Sequence, residues 1–298
     1  GNAVLSAAGD TKRPLYYLAF AGVVNVILNL FFVIVCHLGV AGVALASMIS
    51  QFISAFLILR ALLTGKEKYC LRLSEIRFDK RKAVGILQIG IPSAFQYSLF
   101  AFANLFVQSS VNSFDHVLVE GNSAAANADP LVYDMMAAFY AACSSFIAQN
   151  FGARKKKRIL QTYLICLFYS FITSLVLGVG IYLARYPFLY LFTSDKAVVE
   201  AGITRLSIMA LSYSASAFMD ASIAASRGLG KTAVPTFVVV MGSCVFRIIW
   251  IYTIFAYFHT IQSLYILYVF SWGITAIAEN IYFFHVYRHT LTEKKELC

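Results

Sequence analysis

Charged residues are scarce in this chain of 298 residues. Asp, Glu, Lys and Arg together make up 13% of it, about half the share of a typical soluble domain, whereas 60% of the residues are hydrophobic. The six cysteines form no CxxC pair and the five histidines have no ligand spacing. The sequence also lacks GxxxxGK[ST], HExxH and GxSxG. We therefore expect neither an enzyme nor a nucleotide-driven pump, and no metal or cofactor.

Long, mostly apolar runs make up most of the sequence. A helix needs about 20 apolar residues to cross a hydrocarbon core, and alternation with period two, which would indicate strands, is absent. The runs predict an all-α polytopic membrane protein, a bundle of about eight transmembrane helices. They are Leu15 to Cys36, Leu38 to Leu59, Ala83 to Phe114, Pro130 to Ala153, Ile159 to Ala184, Val199 to Ser226, Ala233 to Phe258 and Ile261 to Tyr287.

The net charge of +10 is distributed unevenly. With loops placed alternately on two sides, twenty of the 24 basic residues fall on one side, and only Arg185 and Lys196 fall on the other. This positive-inside asymmetry predicts a multi-pass protein of the inner (plasma) membrane with both chain ends cytoplasmic, and a lipid bilayer rather than nucleic acid as its partner. The run RKKKR at Arg154 to Arg158 fits an orientation signal, with binding of acidic lipid headgroups as the alternative.

Two loops repeat each other. The stretch AAGDTKRPL shares its Gly, Thr and Pro with RGLGKTAVPT at a constant interval of 221 residues, from Gly9 to Gly230. Each loop precedes two runs in the same order, which predicts a parallel repeat with its axis along the membrane normal. Runs three to six have no earlier counterparts, so we expect the chain to be the C-terminal part of a longer protein, preceded by about 138 residues, or four helices.

These features predict a division of the chain into parts. Residues 1–63 form the end of an N-terminal lobe with two helices, and residues 64–82 form a cytoplasmic linker between lobes. Residues 83–288 form a C-terminal lobe of six helices, and residues 289–298 form a cytoplasmic tail.

Several motifs resemble those of the multidrug and toxin extrusion (MATE) transporters. They are RGLGKTAVP, FRIIWIYTIF, SSFIAQNFGA, VQSSVNSF, GNSAAAN and GDTKRPLYYLAFAGVVNVILNLFFV. The resemblance implies a monomer with two six-helix lobes, of which this chain holds helices five to twelve. It also implies multidrug efflux, the export of organic cations or other amphipathic compounds by alternating access, coupled to inward H⁺ or Na⁺ flow.

Five charged residues lie at least four positions inside the ends of the runs: Asp134, Arg205, Asp220, Arg247 and Glu279. Because placing a charged side chain in the hydrocarbon core of a membrane is unfavourable in free energy, each of these residues needs a partner, a wet cavity or a function. Asp220 is the first candidate for the coupling ion, since the resembling family carries an acid in the helix that runs into the RGLG loop; Glu279 and Asp134 are the others. Arg247 is interpreted as a charge partner or a substrate contact, and a structural ion pair between Arg247 and Glu279 is the alternative.

Polar residues also recur at helical spacing. Asn104, Gln108 and Asn112 lie four apart, as do Ser212, Ser216 and Asp220, which places each set on one helix face. Such faces either line a cavity or join helices. The predicted cavity-lining residues are Asn25, Asn29, Gln96, Asn104, Gln108, Asn112 and Ser216.

Two further features of the sequence bear on the mechanism of such a transporter. Many MATE relatives have an Asp on helix five after an Asn and three residues, whereas this sequence has Asn29 after Asn25, and an amide cannot titrate. Pro92 lies inside the third run, where it predicts a static kink or a hinge.

The alternative functions are a lipid-linked oligosaccharide flippase of the same superfamily and a non-transporting receptor or structural subunit.

Overall fold

A computed structural model describes residues 1–64 and 70–289. The described residues are 88% helical and contain no strand. The shorter elements are Asn2–Ala7, the 3₁₀ turn Leu73–Glu75 and Arg185–Tyr190. The longer ones form eight helical spans: Lys12–Val35 (span 1), Gly39–Thr64 (span 2), Lys80–Val111 (span 3), His116–Gly152 (span 4), Lys156–Leu183 (span 5), Lys196–Gly228 (span 6), Ala233–Phe258 (span 7) and Ile261–His289 (span 8).

All eight spans are long and apolar enough to cross a membrane, which confirms the predicted fold class. Span 4 differs most from its run, because it begins at His116 and consists of His116–Ala126 and Ala128–Gly152 with a break at Asn127. The side chain of Asp115 accepts a hydrogen bond from the backbone N–H of Leu118 at 2.9 Å, and this N-cap starts the helix ahead of the apolar run.

The chain divides into two compact units, Gly1–Asp79 and Lys80–Cys298. Residues 65–69 of the predicted linker and residues 290–298 of the predicted tail lie outside the described residues, and the assignment of the units to two lobes stays a prediction. In the first unit span 2 packs against span 1. The buried residues of span 2 repeat every four positions and are mostly small, so they form one contact face: Gly42, Ala46, Ser50, Ser54, Ile58 and Leu62.

Span 6 is the central helix of the second unit. It packs against spans 4, 5 and 8, and more of its length is buried than in any other described span. Small side chains allow this close packing, since an added Cβ at Gly178 of span 5 would overlap the backbone carbonyl of Ala210. An added Cβ at Gly121 of span 4 would lie 2.7 Å from the carbonyl oxygen of Val198 and 2.8 Å from the backbone nitrogen of Gly202, both in span 6.

The two repeated loops have the same conformation. Gly9 and Gly230 both have positive φ, 90° and 77°, a region in which glycine is favoured. In each loop the backbone N–H after the glycine donates to the carbonyl five residues earlier, as in a Schellman cap. These bonds join Asp10 N–H to Leu5 C=O and Lys231 N–H to Ser226 C=O, both at 3.0 Å.

A π-helical turn changes the register of the repeat. Span 7 contains the π-helix Val240–Val245, and a π turn holds one residue more than an α turn. Arg247 therefore takes the place of Asn25 of span 1, one position away from the match that a constant interval predicts. In agreement, Asn25 Nδ2 donates to Ser50 Oγ at 3.2 Å and Arg247 Nε donates to Ser271 Oγ at 3.4 Å. The two serines are themselves 221 residues apart.

The contact between spans 5 and 6 is testable with two glycines of one helix. Gly178→Ala should lower the free energy of unfolding by about 1–3 kcal/mol, because the new methyl group must displace the span 6 backbone at Ala210. Gly180→Ala is the matched control, since an added Cβ there meets nothing within 4 Å. The control should raise stability by about 0.5–1 kcal/mol through helix propensity. Equal thermal unfolding midpoints for the two purified variants would contradict the close contact.

Candidate functional site

A cavity of about 680 Å³ opens in the second unit between spans 3, 4, 6, 7 and 8. Its wall combines aromatic, amide and charged side chains. The aromatic residues are Tyr97, Phe100, Tyr133, Tyr140, Tyr265, Tyr268 and Trp272. The amide and charged residues are Gln96, Asn104, Gln108, Asn122, Asp129, Arg205, Asp220, Arg227 and Arg247.

Span 3 contributes one regular row to this wall. Gln96, Phe100, Asn104 and Gln108 all line the cavity, and their spacing of four residues places them on one helix face. Pro92 precedes this row inside the continuous helix Lys80–Val111. The face predicted from Asn104 and Gln108 therefore lines a cavity in the structure.

Arg205 and Asp129 form an ion pair at one part of the wall. Arg205 Nη2 donates to Asp129 Oδ2 at 2.5 Å, and Arg205 Nη1 donates to Asn122 Oδ1 at 2.7 Å. The hydroxyl of Tyr213 donates to the second carboxylate oxygen of Asp129. Both charges are thus compensated, as partly buried ions require.

Arg247 has a different environment, because all its contacts are neutral. Its Nη1 donates to Asn104 Oδ1 at 2.8 Å, and its Nε donates to Ser271 Oγ at 3.4 Å. The guanidinium carbon lies 4.8 Å from the ring centre of Phe100 and 4.5 Å from that of Tyr268. The residue is 1% exposed, and Nη2 has no hydrogen-bond partner in the described part of the chain.

Arg227, at the end of span 6, is also held by neutral groups. Its Nη1 donates to Tyr140 Oη at 2.7 Å and its Nη2 donates to Gln96 Oε1 at 2.8 Å. These two bonds join spans 3, 4 and 6 at one end of the cavity.

The two leading carboxylates occupy different positions. Asp220 lines the cavity, and within residues 1–64 and 70–289 no hydrogen bond or ion pair reaches its side chain. Glu279 does not line the cavity; it is fully buried, and neither of its oxygens has a hydrogen-bond partner among the described residues. The ion pair considered between Arg247 and Glu279 is not formed, since Arg247 contacts Asn104 and Ser271 instead.

The remaining predicted residues of this unit lie outside the cavity lining. Asp134 is exposed on its helix and does not line the cavity. Asn112 is exposed and accepts a hydrogen bond from Gln108 at 2.9 Å. Ser216 is buried and donates to the backbone carbonyl of Tyr213 at 2.9 Å, which is a bond within its own helix.

Asn25 and Asn29 belong to the first unit and join each other and span 2. Asn29 Nδ2 donates to Asn25 Oδ1 at 3.0 Å, and Asn25 donates in turn to Ser50. This chain of amides connects two helices, and a role in lining a cavity stays a prediction for both residues.

Sequence reasoning missed three charged or polar contributors. Arg227 directly follows the apolar run Val199 to Ser226 and is one of the twenty basic residues that the charge distribution assigns to one side, whereas in the structure it lies in span 6 and lines the cavity. Asp129 and Asn122 lie ahead of the apolar run that starts at Pro130, so they fell outside the predicted helix. Arg205 was the available signal, because a charged residue inside an apolar run needs a partner, a wet cavity or a function.

Comparison with known proteins gives one family. Residues 92–253 match the sequence model described as MatE. The chain is 32% identical to the probable multidrug resistance protein YpnP of Bacillus subtilis over 52% of this chain and 35% of that protein. It is 24% identical to the probable multidrug resistance protein NorM of Thermotoga maritima, over 78% of this chain and 51% of the relative. A FAD transporter of Shewanella oneidensis is 24% identical over 67% of this chain and 45% of its own length.

Solved structures give the same fold. The crystal structure of MATE in the straight conformation superposes with a TM-score of 0.87 at 19% identity, and the match covers 95% of this chain and 64% of that one. The chain thus spans about a third to a half of the length of these curated relatives and 64% of that solved structure. Because the family match covers more than half of the sequence, and eight helices are long enough to span a bilayer, this chain belongs to the MatE family of multi-pass membrane proteins.

Proposed function

We propose that this protein is an ion-coupled secondary transporter that exports amphipathic compounds by alternating access, and that Asp220 is the carboxyl group that binds the coupling ion. The observation that carries the proposal is the position of Asp220 in the wall of the 680 Å³ cavity, with no hydrogen bond or ion pair from the described residues. A carboxylate with protein partners would have to break those contacts to bind an ion. Asp220 needs no such exchange.

The size and lining of the cavity support a substrate-binding role. Ligand sites are typically concave spaces of about 300–1,000 Å³ lined by apolar and aromatic side chains with a few polar groups, and this cavity fits that description. The names of two relatives refer to multidrug resistance and that of a third to FAD transport, which supports a transporter of small molecules rather than an enzyme.

The proposal includes the setting of the transport reaction. We place the protein in the plasma membrane with both chain ends cytoplasmic, on the basis of the uneven distribution of basic residues. The coupling ion is H⁺ or Na⁺, and the protein works as a monomer within the bilayer. A carboxyl group can serve either ion, because a carboxylate oxygen can take up a proton and the charged carboxylate attracts Na⁺.

Replacement of Asp220 tests the ion site. Asp220→Asn keeps the shape of the side chain but removes the charge that binds a cation. We expect ion-driven export to fall at least about tenfold, while expression is unchanged. The measurement is dye efflux from proteoliposomes after a pH jump and, separately, after a sodium jump, with whichever of fluorescein and rhodamine 123 the wild-type protein moves. The jump that drives wild-type efflux identifies the coupling ion.

Glu120→Gln is the matched control for Asp220→Asn. Glu120 is an exposed carboxylate on His116–Ala126, outside the cavity lining, so its replacement should leave efflux at the wild-type rate. Undiminished efflux by the Asp220→Asn protein would reject the assignment.

Glu279→Gln separates the second candidate from the first. Glu279 is fully buried without hydrogen-bond partners among the described residues and does not line the cavity. An isosteric amide removes the cost of a buried charge, so we expect an equal or higher thermal unfolding midpoint and a loss of export smaller than about threefold. A loss of export as large as that of Asp220→Asn would move the ion site to Glu279.

A further inference from the structure

The cationic groups of the cavity outnumber its anionic groups. Arg205, Arg227 and Arg247 line it, whereas Asp129 and Asp220 are its acidic residues within the described chain. The ion pair of Arg205 with Asp129 is compensated internally. This leaves two arginines against one carboxylate, and the two arginines use neutral partners.

Arg247 is the less compensated of the two. It is 1% exposed, and its hydrogen bonds go to an amide and a hydroxyl, so no anion balances its charge within the described residues. Contacts with the rings of Phe100 and Tyr268 stabilise a buried cation, but they do not replace a counter-ion. Nη2 is buried and has no hydrogen-bond partner among the described residues, so this arm of the guanidinium can still donate to an acceptor placed beside it.

The same aromatic contacts disfavour a cationic guest. Organic cations are usually held against the faces of aromatic rings. Here Arg247 already occupies faces of Phe100 and Tyr268, and its charge repels a second cation nearby. Other rings of the wall, Tyr133 and Trp272 among them, still offer surface to the flat apolar part of a ligand.

We propose that this cavity selects amphipathic aromatic compounds that carry an anionic group, a carboxylate or a phosphate, and that Arg247 is the residue that binds this group. The proposal rests on the proposed transport function and narrows its substrate class. A guanidinium binds either anion through charge-assisted hydrogen bonds, and the free Nη2 of Arg247 supplies the donor. Arg227 adds a second positive charge to the same wall.

Two dyes with the same ring skeleton and opposite charge test the proposal without any ion gradient. Fluorescein is anionic at pH 8, whereas rhodamine 123 is cationic and has nearly the same shape. Fluorescence anisotropy measures the affinity of the detergent-solubilised protein for each dye, and the difference reports the effect of ligand charge. We expect fluorescein to bind at least about tenfold more tightly. Equal affinity, or a preference for rhodamine 123, overturns the proposal whatever the outcome of the transport assays.

A second pair of ligands distinguishes the two anions. Riboflavin 5′-phosphate differs from neutral riboflavin by its phosphate group alone. Tighter binding of the phosphate ester shows that the site accepts phosphate as well as carboxylate. If both riboflavin ligands bind equally while fluorescein is preferred to rhodamine 123, the site is a carboxylate site. If the protein binds both members of each pair with equal affinity, the proposed anionic substrate class is rejected.

Substitutions of opposite sign give a reciprocal test. Arg247→Gln removes a positive charge, so fluorescein affinity should fall about tenfold and rhodamine 123 affinity should rise. Asp220→Asn removes a negative charge, so the two dyes should respond in the opposite directions. A merely structural defect lowers the affinity for both dyes, so it cannot produce this pattern. Arg247→Lys keeps the charge and should retain more fluorescein binding than Arg247→Gln.

Arg185→Gln is the matched control. Arg185 also stacks on two tyrosines, Tyr182 and Tyr186, but it lies outside the cavity lining, so the affinities for both dyes should stay at the wild-type values. Tryptophan fluorescence during thermal unfolding checks that each variant is folded. Should Arg247→Gln fail to fold, Asp220→Asn alone decides, because unchanged or weaker fluorescein binding in that variant contradicts the proposal.

Discussion

The cost of burying an ionisable group among apolar helices constrains the whole second unit of this protein. An unpaired charge in such packing costs several kcal/mol. We therefore expect each buried charge to have either a compensating partner or a function. Arg205 and Asp129 are compensated by each other and by Asn122 and Tyr213. Among the described residues, Asp220 and Arg247 form no ion pair with an opposite charge, and both line the cavity. Glu279 also has no hydrogen-bond partner among the described residues, but it does not line the cavity.

Close packing around span 6 makes this arrangement possible. Gly178 and Gly121 let neighbouring backbones approach the central helix, and the small residues of span 6 let it be buried along most of its length. Spans 4, 5 and 8 pack directly on it. The helix that carries Arg205, Asp220 and Arg227 is therefore held on three sides, which positions three cavity side chains on one well-packed element.

The internal repeat shows how one structural unit can acquire different chemistry. Both copies end a helix with the same glycine cap, and both place a polar side chain on an equivalent serine. In the first copy that side chain is the amide of Asn25. In the second copy the π-helix Val240–Val245 adds a residue and brings Arg247 to the same place, so a hydrogen bond between helices acquires a positive charge. Short π-helical turns inside α-helices are frequently found at functional sites.

The amino-acid sequence by itself determined the helical class, the eight spans and the repeated loops. Apolar length and glycine conformation are local properties, and each can be read from a few neighbouring residues. The sequence also placed Asn104, Gln108 and Asp220 on polar faces, because helical spacing is regular. It did not show which buried groups meet.

Only the tertiary structure decided the partners of the charges. It joined Arg205 to Asp129 and left Glu279 without a hydrogen-bond partner among the described residues. It also placed Arg227 in the cavity wall, although the residue follows an apolar run and has the pattern of an orientation signal. The one-residue shift that brings Arg247 to Ser271 depends on a π turn that hydropathy does not reveal. Pairing between helices depends on depth, rotation and helix distortion together, and these are fixed by packing across the bundle rather than by the residues of one helix.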